Sequence, residues 1–439
     1  MNIFYFGYKI LSTFLVLLGI VPFFVFTMIS GKYRKHLGER FGFFPERMKD
    51  FLFCSKGPRI WIHAVSLGEI KVAMAIVSSL KTSSPDCTVI LSTATEHGRE
   101  LAVELFADSL PVIYAPVDCF LIVRKVLRFI NPDVLLFLET EIWPSWIIEA
   151  RNHGVEIALL NGRISSRSFR HYLKFSCFFK VILKNISIFS MISDVDRDRA
   201  IQLGADPDKI TVNGNAKYDF LPDQAIPGTD TIVREKLFID SSAPVIVAGS
   251  TRTGEEEVLL KAYDRIMKKF PETLLIIAPR HLERMDDIIS LLEDRGTGYH
   301  LRSEFDGKLK KRKEKVILID KYGELFNIYS IATIAFCGAS LVPLGGQNPF
   351  EPAAWGVPVF HGPYMGDFHD AKHLLDETGG NIEIHGDNEF YDRALELMCD
   401  GNLLKKKGEA AKKALLKNKG AAINHAVLIR KILSDGYRK

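Results

Sequence analysis

Short apolar runs rich in valine and isoleucine recur along this chain at helix-sized intervals, and no other feature restricts the fold as much. The runs fall at 60–65, 88–91, 112–114, 134–138, 156–160 and 188–192, then at 245–248, 274–277, 316–319, 333–336 and 357–360. Because they are apolar at odd and even positions alike, they read as strands covered on both faces. Strands alternating with helices build parallel βαβ units. A polar, proline-containing stretch at 219–230 interrupts the rhythm. The expectation is an α/β chain of two doubly wound, Rossmann-like domains joined near residues 220–230, each ending in helices. A length of 439 residues allows two or three folding units with separate cores. Ligands of such sheets sit beyond the carboxyl ends of the strands, and two such domains face each other across a cleft.

Ahead of the first strand, residues 10–29 carry no charge. Twenty helical residues at about 1.5 Å each match the roughly 30 Å hydrocarbon core of a bilayer. Lys32, Arg34, Lys35 and Arg40 follow this segment and only Lys9 precedes it, so the positive-inside rule sets the rest of the chain in the cytoplasm. A cleaved signal peptide is the competing reading. The charge lies on the wrong side for one, and Met28-Ile29-Ser30-Gly31 is a poor cleavage site. Gly19 and Pro22 leave an in-plane interfacial helix as the alternative to a straight span. The organisation expected is a membrane anchor at 1–31, a first domain at 32–222 and a second at 223–439. Six scattered cysteines without a C-x-x-C pair fit a reducing compartment. A net charge of +4, from 57 basic and 53 acidic residues, makes no case for a nucleic-acid partner.

The densest motif is Gly345-Gly346-Gln347-Asn348-Pro349-Phe350-Glu351-Pro352, lying between two apolar runs. It reads as strand, glycine loop and helix start, with Asn348 as N-cap, Pro349 at the first helical position and Glu351 at the third. The free N–H groups and positive end of such a helix attract an anion, and glycines let a ligand approach the backbone. A nucleotide phosphate suits the loop, with Glu351 accepting hydrogen bonds from ribose hydroxyls. The alternative is that Glu351 only completes a helix cap. Ser250 and Thr251, Arg280 and His281, and Gly323 and Glu324 follow other strands of the same sheet and converge on the same edge. None of these loops matches a Walker loop or G-x-G-x-x-G. Arg280 is the guanidinium best placed for an acidic group.

In the first domain, the run 60–65 leads into Ser66-Leu67-Gly68-Glu69 and a helical pattern at 70–80. Ser66 and Glu69 have capping-box spacing, which satisfies otherwise orphan N–H groups. On the functional reading, Glu69 stands at a strand's carboxyl end and takes a proton from a substrate hydroxyl. The helix dipole lowers its pKa, so a useful base needs desolvation to compensate. Glu139 and Glu141 follow the run 134–138, as dipole chemistry of a first helical turn or as site carboxylates. Arg163, Arg167 and Arg170 recur at three- to four-residue spacing, which puts all three on one helical face suited to phosphates or lipid head groups. His369 and His373 read as surface histidines, and Asp194-Val195-Asp196 as helix-cap chemistry, so no metal site is expected.

Taken in order, these motifs resemble a known family. They are Tyr33-Arg34, Glu39-Arg40-Phe41-Gly42, His63-Ala64-Val65-Ser66-Leu67-Gly68-Glu69, Glu139-Thr140-Glu141-Ile142-Trp143-Pro144, Asn161-Gly162-Arg163-Ile164-Ser165, Gly214-Asn215-Ala216-Lys217-Tyr218-Asp219, Ala278-Pro279-Arg280-His281 and the Gly345 loop. Spread over nearly the whole chain, they are similar to the bacterial 3-deoxy-D-manno-oct-2-ulosonic acid (Kdo) transferases of lipopolysaccharide synthesis. The resemblance implies a GT-B glycosyltransferase anchored in the bacterial inner membrane, with its catalytic domains on the cytoplasmic side and membrane lipids as partners. Such an enzyme moves Kdo from CMP-Kdo to the lipid A precursor (lipid IVA), a phosphorylated, acylated glucosamine disaccharide. The first domain would bind the acceptor, with Ser66, Gly68, Glu139, Glu141, Arg163, Arg167 and Arg170 as candidates. The second would bind the cytidine nucleotide, with Ser250, Thr251, Arg280, His281, Gly323, Glu324, Gly345, Gly346, Asn348 and Glu351. The resemblance makes Glu69 the general base of an inverting transfer that uses neither cofactor nor divalent metal. A sugar-nucleotide epimerase of the same fold and a non-catalytic membrane-bound nucleotide-binding protein stay open as other classes. An epimerase has no need of an anchor or a cationic face.

Overall fold

The computed structural model describes residues 3–31, 36–106, 109–307, 309 and 311–436. The Tyr33-Arg34 motif and the charges of Lys32, Arg34 and Lys35 lie outside the described residues. Two seven-stranded sheets, each parallel throughout, organise the chain. The first holds β1 (Arg59–His63), β2 (Thr88–Thr93), β3 (Val112–Tyr114), β4 (Val134–Leu138), β5 (Glu156–Gly162), β6 (Ile188–Met191) and β7 (Ile210–Val212), in the order β3-β2-β1-β4-β5-β6-β7. The second holds β8 (Val245–Thr251), β9 (Leu274–Pro279), β10 (Tyr299–Leu301), β11 (Val316–Leu318), β12 (Ile334–Cys337), β13 (Val359–His361) and β14 (Asn381–Glu383), in the order β10-β11-β9-β8-β12-β13-β14. The strand order reverses between β1 and β4 in one sheet and between β8 and β12 in the other. Those are the topological switch points, where ligands bind in doubly wound sheets.

All eleven expected strands are present. The three that the apolar runs do not signal, β7, β10 and β14, have three residues each and lie at sheet edges. An edge strand is covered incompletely, so Thr211, His300 and Asn381 break the apolar pattern that marks an inner strand.

By its contacts the chain divides into two units. One runs to Asp219 and takes back the chain from Gly420, and the other is Phe220–Lys419. The C-terminal helix Ala421–Gly436 therefore leaves the second domain, where the sequence reading puts it. It packs on the helix Leu67–Ser83 and on β4 and β5, burying Ala422, His425, Ala426 and Ile429. Asp219 secures the return, since its carboxylate accepts the N–H groups of Gly420 (3.1 Å) and Ala422 (2.7 Å). An apolar stripe shows that a helix is covered but not by which surface, which is why periodicity misplaces this one. The lysine-rich helix Gly401–Asn418 behaves as an amphipathic helix should, burying Gly408, Ala411, Ala414 and Leu415. At the other end of the chain, the stretch Tyr5–Ser30 of the helix Ile3–Ser30 is long and apolar enough to cross a membrane.

Candidate active site

Beyond β1 the chain makes one turn and enters the helix Leu67–Ser83. Ser66 caps that helix by accepting the N–H of Glu69 (3.3 Å). The second half of the box departs from the usual pattern. Glu69 accepts the Ser66 hydroxyl (2.8 Å) and reaches past the cap to the Val65 N–H (2.8 Å). The Val65 carbonyl in turn accepts the hydroxyls of Thr93 (3.2 Å) and Thr95 (3.1 Å). Gly98 has to be glycine beneath them, because a Cβ there would stand 2.6 Å from Thr93 Oγ1 and 2.7 Å from Thr95 Oγ1. Glu69 is thus held from both sides and is only 6% exposed. Burial pushes its carboxyl up to about 7, against the pull of the Val65 N–H, and the charges of Glu139 and Glu141 add to the push. Desolvation therefore outweighs the helix terminus, as a general base near neutral pH requires.

The floor of this region is aromatic. His63, at the end of β1, is fully buried and bonds Ser92 Oγ through Nδ1 (3.0 Å), and the Trp61 indole bonds the same hydroxyl (2.9 Å). Burial takes His63 down to about 3, so it is neutral and structural. Its ring meets that of Trp143 edge-on, 5.3 Å between centroids, and the Trp143 indole donates to Glu141 (2.5 Å). Glu139 and Glu141 do not occupy a first helical turn, because the following helix starts only at Pro144 (Pro144–Asn152). Glu139 instead has φ of 56°, the left-handed region that few non-glycine residues adopt. Burial raises the Glu141 pKa.

Lys217 carries no individual role in the sequence analysis, yet the structure brings it to this switch point. Its ammonium is 2.6 Å from the Glu139 carboxylate. A Cβ on Gly68 would stand 3.2 Å from Lys217 Cε and 3.4 Å from Nζ. Asn161, also at positive φ (54°), sets the turn that presents the lysine. It accepts the Ala216 N–H (2.8 Å) and donates to Asn215 Oδ1 (3.2 Å), which accepts the Lys217 N–H (3.1 Å). The signal available in the sequence was the paired asparagines of two separate motifs.

The three arginines do not share a helical face. Gly162 still belongs to β5, and Ser165 caps the helix Ser166–Lys174 by accepting the Ser168 N–H (3.1 Å). Arg163 therefore precedes the helix and is half-buried, while Arg167 and Arg170 lie on it and are exposed. Asp196 has a structural task, accepting the Ser193 hydroxyl (2.5 Å) and the Ile164 N–H (2.7 Å). His373 is exposed beside Glu377 (3.3 Å).

In the second unit, the candidate donor residues lie at the end of β8 and beyond the ends of β11, β9 and β12, four strands adjacent in the sheet. Ser250 has φ of 57° and Thr251 is buried. The Arg280 N–H donates to the Thr251 carbonyl (3.1 Å), and the side chains of Arg280 and His281 are exposed. Glu324 is engaged within the unit by the buried Arg302 (Nε to Oε2, 2.8 Å), beside the exposed Gly323. The helix after the glycine loop is Phe350–Ala354, so Pro349 and not Asn348 occupies the cap position. Asn348 still supplies cap chemistry, accepting the Phe350 N–H (3.1 Å) and donating to Glu351 (3.4 Å). Five residues give a weaker dipole than a full helix. Gly345 and Gly346 have φ of 87° and 80°, and a Cβ on either would come within 2.5 Å of Asp367 or Met365, so loop packing requires them.

What holds this loop is Glu255, another residue the sequence reading leaves without a role. Fully buried, it accepts four backbone N–H groups: Arg252 and Ala339 at 2.8 Å, Ser340 and Leu341 at 2.9 Å. It ties the end of β8 to the end of β12.

Two parallel sheets with polar loops at their carboxyl ends, and a carboxylate of near-neutral pKa at a switch point, define an α/β enzyme of the GT-B type. Solved structures agree on the fold. A glycosyltransferase from Rickettsia africae superposes with a TM-score of 0.60, over 86% of this chain and 99% of that one, at 17% identity. UDP-GlcNAc 2-epimerase from Neisseria meningitidis does so with 0.59, over 86% and 100%, at 14% identity. Sequence relatives distinguish the chemistry. The family model described as 3-deoxy-D-manno-octulosonic-acid transferase (kdotransferase) matches residues 35–220. The 3-deoxy-D-manno-octulosonic acid transferase of Haemophilus influenzae is 31% identical over 89% of this chain and 90% of its own length. A bifunctional glycosyltransferase/methyltransferase of Fusobacterium nucleatum is 34% identical over 78% of this chain and 53% of its own length. The chain belongs to the Kdo transferase family and is a glycosyltransferase.

Lys217→Met should leave Glu139 as an uncompensated charge near Glu69 and raise the Glu69 pKa further. The acid limb of the pH–rate profile then moves to higher pH, and activity below the limb falls about tenfold for each unit of movement. An unmoved limb with only a lower melting temperature makes Lys217 structural.

Proposed function

We propose that the enzyme transfers Kdo from CMP-Kdo to the lipid A precursor, with Glu69 as general base. The observation that carries this reading is a carboxylate held at a switch point by Val65 and Ser66, with its pKa raised to about 7. At that value it is ionised enough to accept a proton at neutral pH and basic enough to assist. Glu69 takes the proton of the acceptor hydroxyl as its oxygen bonds to the anomeric carbon of Kdo. The bond from that carbon to the phosphate oxygen breaks, and CMP leaves with the electron pair. Displacement from the opposite face inverts the anomeric centre, which NMR of the product reads directly. Arg280 and the backbone N–H groups of the second unit's loops supply positive charge to the leaving phosphate, and Glu351 accepts from the ribose. Arg163, Arg167 and Arg170 are the groups for acceptor phosphates. The helix Ile3–Ser30 keeps the enzyme on the inner membrane, where the lipid acceptor resides.

Glu69→Gln is the decisive variant, because glutamine can keep both local contacts. Its carbonyl accepts the Val65 N–H and its amide donates to Ser66. Transfer should fall about 10² to 10⁴ fold at saturating acceptor. In the parent, activity should decline below about pH 7 as Glu69 protonates. Folding raises this pKa, so the group's contribution to stability is full below its ordinary value and is lost as pH rises through about 7. The Gln variant, with no charge to bury, should therefore melt no lower than the parent at pH 8. Wild-type turnover by this variant would remove Glu69 from the mechanism.

Glu351→Ala should weaken CMP binding by roughly 1.5–3 kcal/mol in calorimetry. Unchanged affinity with a lowered melting temperature would leave Glu351 as a cap. Transfer from preformed CMP-Kdo should also survive excess chelator, whereas its loss and rescue by magnesium would contradict a metal-independent displacement.

A further inference from the structure

The apolar N-terminal helix is fastened to the first unit along most of its length. Near its start, Tyr5 donates to Glu149 (2.7 Å), and the Lys9 ammonium stands 3.5 Å from the same carboxylate, which is fully buried and also accepts from Arg124 (2.5 Å). Tyr8 donates to Asp118 (2.5 Å) and packs its ring 5.6 Å from that of Phe178. Thr13 lies against Cys119, and Phe24 stacks on Phe41, 6.2 Å between centroids. Contacts at residues 13 and 24 leave ten residues between them, about 15 Å of helix, or half of a hydrocarbon core. The chain is back on the unit by the turn Leu37–Phe41, whose Glu39 accepts Arg99 (2.6 Å) and the Tyr114 N–H (2.8 Å).

The helix is apolar almost all round, but its few polar side chains turn inward. Tyr5, Tyr8, Lys9, Ser12 and Thr13 are buried or half-buried on one stripe of three- and four-residue spacing, and Thr27 is buried near the other end. The opposite side presents Ile10, Leu11, Phe14, Leu17, Leu18 and Val21, each 56–66% exposed. A groove of about 490 Å³ runs beside it, lined by Phe6, Ile10, Phe14, Leu17 and Phe120 with Lys9 at one side. An apolar patch of this length with no charge in it marks a surface that apolar material covers. Helices that touch this one extend the surface, with exposed Leu121 next to Phe120 and exposed Phe175 ahead of the helix that carries Phe178.

We infer that the helix Ile3–Ser30 does not cross the bilayer but lies along the first unit with its outer face in the hydrocarbon of one leaflet. Both of its ends then stay on the cytoplasmic side, and the groove takes an acyl chain of that leaflet. This rests on the membrane association proposed above. It selects the in-plane helix over the span that its length alone suggests.

The test uses the full-length enzyme with one epitope on a long flexible N-terminal linker and another at the C-terminus. Protease is added to intact spheroplasts and to inverted membrane vesicles. Both epitopes should survive in spheroplasts and both should be lost in inverted vesicles. Loss of the N-terminal epitope alone in spheroplasts, or its survival in both preparations, overturns the inference while leaving membrane association intact. Recovery of the enzyme in the soluble fraction overturns both. A soluble dimer cross-linked through the Leu17 and Val21 face would show that a second copy covers it instead.

Discussion

Parallel strands covered on both faces leave the chain no short way back into the sheet, and this constraint governs the rest of the molecule. Every strand must be followed by a crossover, usually a helix, so every loop that leaves a strand's carboxyl end emerges at the same edge. Residues far apart in sequence become neighbours for that reason alone. Glu69 and Glu139 come from two separate crossovers of one sheet and Lys217 from the turn beyond its last strand, while Ser250 ends a strand of the other sheet and Arg280, Gly323 and Gly345 come from three of its crossovers. The place where strand order reverses has no crossover packed over it, and each sheet has non-glycine residues at positive φ beside it. Glu139 follows β4, while Ser250 in β8 and Ala339 beyond β12 flank the second reversal.

At each reversal a buried glutamate opens the helix after the first strand of the sheet, and the two illustrate how environment divides labour. Glu255 accepts four backbone N–H groups and is fully enclosed, so its carboxylate acts as a fixed staple between two loops. Glu69 accepts one N–H and one hydroxyl and has two carboxylates for neighbours. Burial raises the pKa of both. Only Glu69 combines that rise with lightly used oxygens and residual exposure, which are the properties a proton acceptor needs.

Much of this was legible beforehand because inner strands and capping boxes depend on local pattern. The eleven inner or strongly apolar strands, the Ser66 cap and the loops at the strand ends all follow from residues a few positions apart. What escaped depends on distant partners. Edge strands β7, β10 and β14 are held by ladder hydrogen bonds more than by apolar pattern. The salt bridge of Lys217 spans 78 residues to Glu139, and Glu255 reaches N–H groups more than 80 residues away. The three arginines were misjudged for a local reason: Ser165 is a better cap than the basic periodicity is a helix signal, so the helix begins after Arg163.

The return of the last helix to the first unit has a consequence for biosynthesis. A chain grows from its N-terminus at about 5–20 residues per second, so translation of the intervening Phe220–Lys419 occupies roughly 10–40 s. Throughout that time the helix Leu67–Ser83, which carries Glu69, lacks the covering supplied by Ala422, Ala426 and Ile429. The unit begun first is thus completed last, and its apolar flank stays open to chaperones or to its own misfolding while the second unit, continuous in sequence, can already close. A nonsense mutation near residue 420 would spare every residue of that second unit and damage the one that holds Glu69.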